Sequence, residues 1–171
     1  GSVGTSLRWK DLTLSALLDI RVGGDFISNT DNYACQSGTS AKTLYGRENG
    51  EKIVVDGVTE SGAQNTVGVS AEQYWSSVAG PDGIVEQFVY EGTYVKLREI
   101  ALGYNLPQQW LSHTPLKSVR VSLVGRDLFY IYKAAPVNPE GAFSRNDYAQ
   151  AFELASMPPT RSIGLSLNVK F

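Results

Sequence analysis

Thr160 to Phe171 alternates with a period of two. Ile163, Leu165, Leu167, Val169 and Phe171 fall on one parity, and Ser162, Gly164, Ser166, Asn168 and Lys170 on the other. That period makes a strand with one apolar face and one polar or small face. The same signature recurs in Leu12, Leu14, Ala16, Leu18, Ile20 and Val22, in Ile100, Leu102 and Tyr104, and in Val119, Val121 and Leu123. A shorter run, Thr5, Leu7 and Trp9, stands ahead of them. The pattern predicts strands over 5–9, 12–23, 93–106, 118–132 and 160–171. Val95 and Leu97 lie on the parity opposite to Ile100 and Leu102, so the phase change near Arg98-Glu99 marks a bulge or a strand start.

The segments between the strands are of two kinds. Lys10-Asp11 is a tight turn and 107–117 a short connection, whereas 25–90 and 133–159 are long, polar excursions. Loops of about 4–6 residues are usual, so such lengths imply structure of their own. Within the first, Lys52 to Thr59 reads as a small hairpin about Asp56-Gly57. Ser70-Ala71-Glu72-Gln73 reads as a capping box opening a short helix through Tyr74, Trp75 and Val78, stopped by Gly80-Pro81. Short turns at one end and long loops at the other is the asymmetry of transmembrane β-barrels, whose strands need about 9–11 residues to cross. Trp9, Tyr104, Trp110 and Phe171 fall at the short-turn end. Phe88, Tyr90, Tyr94, Phe129, Tyr130 and Tyr132 fall near the other, as two interfacial girdles would.

Charge and composition narrow the function. With 171 residues and a net charge of −2, nothing points to a nucleic-acid partner. No apolar run approaches the roughly 18 residues of a spanning helix. Gly1-Ser2-Val3-Gly4 is no signal peptide, which leaves a soluble protein or a piece of something longer. Cys35 is the only cysteine and is expected as a free thiol. His113 is the only histidine and reads as a surface residue beside a turn. Nucleophile, phosphate-loop and zinc-peptidase motifs do not occur, so no catalytic residue, metal or cofactor is expected. Asp31-Asn32 and Asn138/Glu140/Asn146/Asp147 carry oxygen ligands without EF-hand spacing, and read as solvated loop. Arg8, Asp19, Arg21, Glu99, Arg120 and Arg126 sit on the polar parity. If the apolar parity meets lipid, these six face the lumen as wall-lining candidates. The sign is strongly set, because a charge on the lipid face near the midplane costs roughly 2–4 kcal/mol.

The order of motifs resembles the C-terminal part of SusC/RagA-type TonB-dependent outer-membrane transporters. The resemblance rests on Tyr94-Val95-Lys96-Leu97-Arg98-Glu99-Ile100-Ala101-Leu102-Gly103-Tyr104, on Val121 to Phe129, on Asn138-Pro139-Glu140 and on Pro158 to Phe171. The strand over 11–24 and Ile53-Val54-Val55-Asp56-Gly57-Val58 also fit. Asp127 departs from the pattern, where the family usually carries Asn; a local hydrogen-bonding role with little functional consequence is expected there.

The resemblance implies an all-β fold: about five C-terminal antiparallel strands of a large transmembrane barrel, with long extracellular loops and a short helix in one of them. It implies a bacterial outer-membrane location, a periplasmic C-terminus and no enzymatic activity. The implied role is part of the wall and loops of an importer of oligosaccharides or peptides. Implied partners are the remaining barrel and plug, a SusD-like surface lipoprotein, a TonB-type energy-coupling protein acting through a missing N-terminal part, and lipid or lipopolysaccharide; Arg8, Asp19, Arg21, Glu99, Arg120 and Arg126 would then be plug-docking candidates as well as wall lining. Leu165, Leu167, Val169 and Phe171 would form the barrel-assembly signal by strand addition. Tyr74 and Trp75 would be loop contacts for the glycan or peptide substrate. The alternative is a secreted, soluble β-sandwich that binds glycans. It would bury Leu12, Leu14, Leu18, Ile20, Ile163, Leu165, Leu167 and Val169 against a second sheet.

Overall fold

The computed structural model describes residues 1–47, 49–141 and 149–171. The chain divides into two compact units. One comprises Gly1–Gly24, Glu91–Glu140 and Met157–Phe171, the other Asp25–Tyr90 and Gly141–Ser156.

The first unit is a five-stranded sheet built from β1 (Ser2–Trp9), β2 (Leu12–Arg21), β7 (Tyr94–Asn105), β8 (Ser118–Lys133) and β10 (Ser162–Lys170). Its order is β1-β2-β7-β8-β10, with antiparallel pairing throughout. Sequential neighbours pair because each connection, short or long, returns the chain beside the strand it left. Register follows the apolar parity across the whole sheet. Leu7, Leu14, Leu102, Leu123 and Leu165 form one row, and Trp9, Leu12, Tyr104, Val121 and Leu167 the next. A slip of one residue would send every one of these side chains to the opposite face.

The phase change at Arg98-Glu99 is a bulge. Glu99 faces Arg126 and Leu97 faces Phe129, so Arg98 stands opposite Asp127-Leu128. Asp127 has φ +51°, a left-handed conformation that Asp and Asn tolerate better than most side chains. The short connection 107–117 contains one turn of helix, α3 (Gln108–Leu111).

The second unit holds α1 (Asn29–Gln36) and α2 (Ala71–Val78), two 3₁₀ turns at Ala41–Leu44 and Val85–Phe88, and small strands. β3 (Asp25–Ser28) pairs in parallel with β9 (Phe152–Glu153) and lies between it and β6 (Val89–Glu91). The capping box is present: the Gln73 amide donates to Ser70 Oγ at 3.2 Å, and the Ser70 amide to Gln73 Oε1 at 3.1 Å. Gly80, at φ +103°, takes the chain out of the helix. Cys35, Ala79 and Phe88 form the core here, with Trp75 packed against them. Cys35 is a fully buried free thiol, and burial pushes its pKa up.

Two expectations are corrected. The first excursion carries two eight-residue helices, not one. The helix over 29–36 is polar and shows no periodicity, yet Ser28-x-x-Asp31 marks its start, and Ser28 Oγ accepts the Asp31 amide at 3.1 Å. The hairpin is also different. β4 (Ile53–Val54) pairs with β5 (Gly68–Val69), not with Val58-Thr59. Gly57 lacks the positive φ that a tight Asp-Gly turn requires. The reversal sits at Thr59–Ala63, around Gly62 at φ +81°.

The cap gives a direct check. Ser70→Ala removes an acceptor for an otherwise unsatisfied helix amide and should cost about 1 kcal/mol locally. Hydrogen exchange of the amides of 71–78 should accelerate by about fivefold, with exchange in the five-stranded sheet unchanged.

Candidate functional site on the two faces of the sheet

One face of the five-stranded sheet is greasy and largely exposed, although Leu12, Leu18, Ile20 and Val169 are half-buried and Val119 is buried. Ile163, Leu165 and Leu167 are 76%, 79% and 67% exposed. Leu7, Trp9, Leu102, Leu123 and Phe129 on the same face are also exposed. Exposures of this size contradict burial against a second sheet, which is what the sandwich reading requires. A contiguous apolar surface of this kind on one side of an antiparallel sheet marks contact with something other than water.

The opposite face carries the charge. Near the long-loop end, three carboxylates and two cations converge. The buried Lys96 ammonium lies 2.9 Å from Asp127 and 2.6 Å from Glu140. The bulge turns Arg98 onto the same face, where its guanidinium reaches Asp127 at 2.8 Å, Glu140, and Asp19. Tyr130 donates to Glu140 at 2.6 Å, and its ring lies 5.0 Å from the Lys96 ammonium. Tyr94 donates to Asp19 at 3.3 Å and packs edge-on against Tyr130. Glu140 is thereby tied to the wall seven residues after β8 ends at Lys133. Burial would raise its pKa, but the hydrogen bonds from Lys96, Tyr130 and Arg98 outweigh it and hold the carboxyl below its ordinary value.

The six charged residues read from the polar parity all stand on this face, but they do different things. Glu99 and Arg126 pair with each other at 2.8 Å. Asp19 belongs to the Arg98 cluster. Arg8 donates through Nε to the Lys10 carbonyl at 3.2 Å. Among the described residues Arg21 and Arg120 form no ion pair. Lys96 and Arg98 are not among the site residues read from the sequence, which places Tyr130 in an aromatic girdle and Glu140 among solvated loop ligands. Tyr94, Lys96 and Arg98 share a parity opposite to Val95 and Leu97, which was the available signal. Nothing in the spacing could bring Glu140 to them. Asp127 has the hydrogen-bonding role expected of it, with Lys96 and Arg98 as its partners in the cluster.

The aromatic bands are corrected in part. Trp9, Trp110 and Phe171 are exposed at the short-turn end, and Phe129 and Tyr132 are exposed near the other. Tyr94 and Tyr130 turn onto the polar face. Phe88, 1% exposed, is core of the second unit.

In that unit, Trp75 packs on the loop core, and its buried indole N–H has no hydrogen-bond partner among the described residues. Tyr74 stacks edge-on against Trp75 and accepts from Gln87 at 3.4 Å. A concavity of about 510 Å³ is lined by Cys35, Thr43, Arg47, Ser70, Glu72 and Trp75, among others. Asp31, one of the oxygen-ligand candidates, is engaged by Lys42 at 2.6 Å and by the Tyr90 hydroxyl. Asn32 clamps the Gly80 backbone. Asn146 and Asp147 lie outside the described residues. Among the described residues no group of three or more His, Cys, Asp or Glu side chains could hold a metal ion.

The Asp31 cluster has a pH signature. Burial opposes the carboxylate, but bonds from Lys42 and Tyr90 win and lower its pKa below 3.8. A lowered carboxyl contributes stability above its unfolded pKa and loses it as pH falls through the folded one. Lys42 is shifted the other way: burial lowers it, but the bond to Asp31 leaves it raised above 10.5. Its contribution persists below the unfolded pKa and is lost as pH rises through the folded value. Hydrogen exchange over 29–44, corrected for intrinsic rates, should be flat from pH 5 to 9 and rise toward both extremes. Asp31→Asn should shrink the acid limb to the part set by Glu153, whose lowered carboxyl accepts from Ser28 and Thr30.

An open antiparallel sheet with one exposed apolar face and one ionised face defines a segment of a transmembrane β-barrel wall. In sequence the chain is similar to two proteins of Formosa agariphila. TonB-dependent receptor P3 is 34% identical over 94 residues and TonB-dependent receptor P26 33% identical over 88, about half of this chain in each case. In structure it is similar to the RagAB peptide importer. Superposition on the open-open state gives a TM-score of 0.63 at 18% identity over 100% of this chain, and on the closed-closed state 0.60 at 20% over 97%. The chain spans 9% of the length of either receptor and 16–17% of the importer chain. No family model matches it. These likenesses bear out the resemblance to a TonB-dependent transporter and the barrel fold, and they are to receptors and importers rather than to an enzyme.

Proposed function

We propose that the chain is part of the wall and outer loops of a TonB-dependent outer-membrane transporter that imports oligosaccharides or peptides. The observation that carries this reading is the opposition of the two faces: exposed Leu and Ile outward, a satisfied ion cluster inward. Lipid or lipopolysaccharide covers the outward face. The excursions over 25–90 and 133–159 lie outside the cell and the short turns face the periplasm, with the strand edges of β1 and β10 completed by the rest of the barrel. Unpaired strand edges in hydrocarbon would cost several kcal/mol per unsatisfied group, which supports such completion. On this reading the chain, 1–171, is the C-terminal segment of that barrel. A plug fills the lumen, a TonB-type protein supplies energy through the N-terminal part, and a SusD-like lipoprotein caps the loops. Leu165, Leu167, Val169 and Phe171 are the strand read by the assembly machinery. Tyr74 and Trp75 contact solute by whatever ring surface the loop core leaves open. The similar importer of known structure takes peptides, which supports peptides as one of the two substrate classes.

The test uses the full-length protein in its own host. Expected are fractionation with the outer membrane, extraction by detergent alone, and loss of growth on a peptide or oligosaccharide source when it is deleted. Recovery in the soluble fraction would contradict the reading.

A further inference from the structure

The concavity of about 510 Å³ in the second unit has the volume of a small-ligand site. One wall of it is α2. Glu72, Trp75 and Ser76 line it at i, i+3 and i+4, which places them on a single helix face. Arg47, three residues beyond the 3₁₀ turn at Ala41–Leu44, also lines it. Lack of an ion pair does not distinguish Arg47, since Arg21 and Arg120 lack one too among the described residues. What distinguishes it is how it is held. Its Nη1 donates to the Gly38 carbonyl at 2.6 Å and to the Thr43 hydroxyl at 3.1 Å. Thr43 is 2% exposed, and its own hydroxyl donates to the Ser40 carbonyl at 2.8 Å, so the acceptor is itself fixed. Nη2 lies over Gly38, which has φ +71° and where an added Cβ would come within 2.8 Å of that nitrogen. The guanidinium is thus pinned by neutral acceptors, and no carboxylate among the described residues answers its charge. Nε and Nη2, the pair of N–H groups on its other edge, have no acceptor among the described residues. That edge matches a carboxylate bidentately.

We propose that this concavity binds a solute through a free carboxylate, with Arg47 as the anchor and Thr43 as the residue that positions it. The proposal deepens the transporter reading above and rests on it for what reaches the outer loops. It narrows the solute from oligosaccharides or peptides in general to those that carry an acid group. Such a group is the C-terminus of a short peptide or a uronic acid of a glycan. Glu72, on the α2 wall, separates the two sources. Its carboxylate meets the ammonium of a short peptide and repels the further carboxylates of a polyuronate, so the peptide is the expected ligand.

The experiment follows hydrogen exchange of the full-length protein in detergent during titration with trialanine, trialanine amide, trigalacturonate and maltotriose. Expected is protection of 36–47 and 70–76 by trialanine, with trigalacturonate weaker and maltotriose inert. Trialanine amide should need about tenfold more, because the charge-assisted contact is lost. Arg47→Gln should raise the trialanine midpoint by about the same factor and leave that of the amide unchanged. Arg47→Lys, which cannot span a carboxylate with two N–H groups, should fall between, and so should Thr43→Val. Unchanged exchange over 29–35 shows in each variant that the loop unit is folded. Tighter binding of trigalacturonate than of trialanine would uphold the carboxylate site with a uronate as its source. Equal midpoints for trialanine and its amide overturn the proposal. So do equal protection by maltotriose, a trialanine midpoint indifferent to Arg47→Gln, and absence of protection by any of the four. Recovery of the protein away from the outer membrane would instead overturn the transporter reading.

Discussion

Leu165→Arg should destabilise the folded barrel by roughly 2–4 kcal/mol, whereas Ser166→Arg, one residue on, should cost less than about 1 kcal/mol. The asymmetry follows from the register. Leu165 lies mid-strand in β10, opposite Leu123 and in the row that continues through Leu102, Leu14 and Leu7. It is 79% exposed, so a guanidinium there would meet whatever covers that face. If the cover is hydrocarbon, the charge must be desolvated or must drag water and headgroups inward. Ser166 faces Ser122 on the polar side, where an added Arg can be hydrated. The check is urea unfolding of the purified full-length protein in lipid, followed by loss of heat-modifiable migration. Equal costs at the two positions would remove the reason for assigning the faces.

Lys96→Met should be at least as damaging, at about 3–5 kcal/mol, because it leaves a carboxylate cluster short of its buried cation. Lys96 is 2% exposed and bridges Asp127 to Glu140. Without it, Arg98 alone faces Asp19, Asp127 and Glu140, so one cation answers three anions. The loss should be partly reversible. Glu140→Gln in the Lys96→Met background removes one of the stranded charges and should recover a third to a half of the cost, whereas Glu140→Gln alone should destabilise. Non-additivity of that sign is the mark of direct coupling. The same variants should also loosen the start of the second excursion, since Glu140 ties it to the wall. Faster hydrogen exchange over 134–141 would report this.

How far the sequence revealed this arrangement depended on distance along the chain. The period-two pattern placed all five strands, because a half-exposed strand writes its faces directly into alternate residues. The bulge was visible as a change of phase, and so was the capping box, since both are set by residues within three or four positions. The polar-face residues were found wherever they sat on a regular parity. Glu140 was missed because its partners are 42 and 44 residues away and only the bulge turns Arg98 toward it. Lys96 was passed over because its parity had been broken by that same bulge. The helix over 29–36 buries Asp31, Asn32 and Cys35 rather than an apolar stripe, so no hydrophobic period announced it. The parallel pairing of β3 with β9 joins residues some 125 apart and carries no local signature.

The most direct measurement is a spin-label scan of 162–168, one cysteine variant at a time, in the full-length protein with Cys35 replaced by Ser and the protein reconstituted in lipid. Collision rates with oxygen, which partitions into hydrocarbon, and with a water-soluble nickel chelate should alternate out of phase. Positions 163, 165 and 167 should favour oxygen, and 162, 164, 166 and 168 the chelate. Chelate access at 163, 165 and 167, or protection from both reagents there, would mean that this face meets water or protein and would contradict the account.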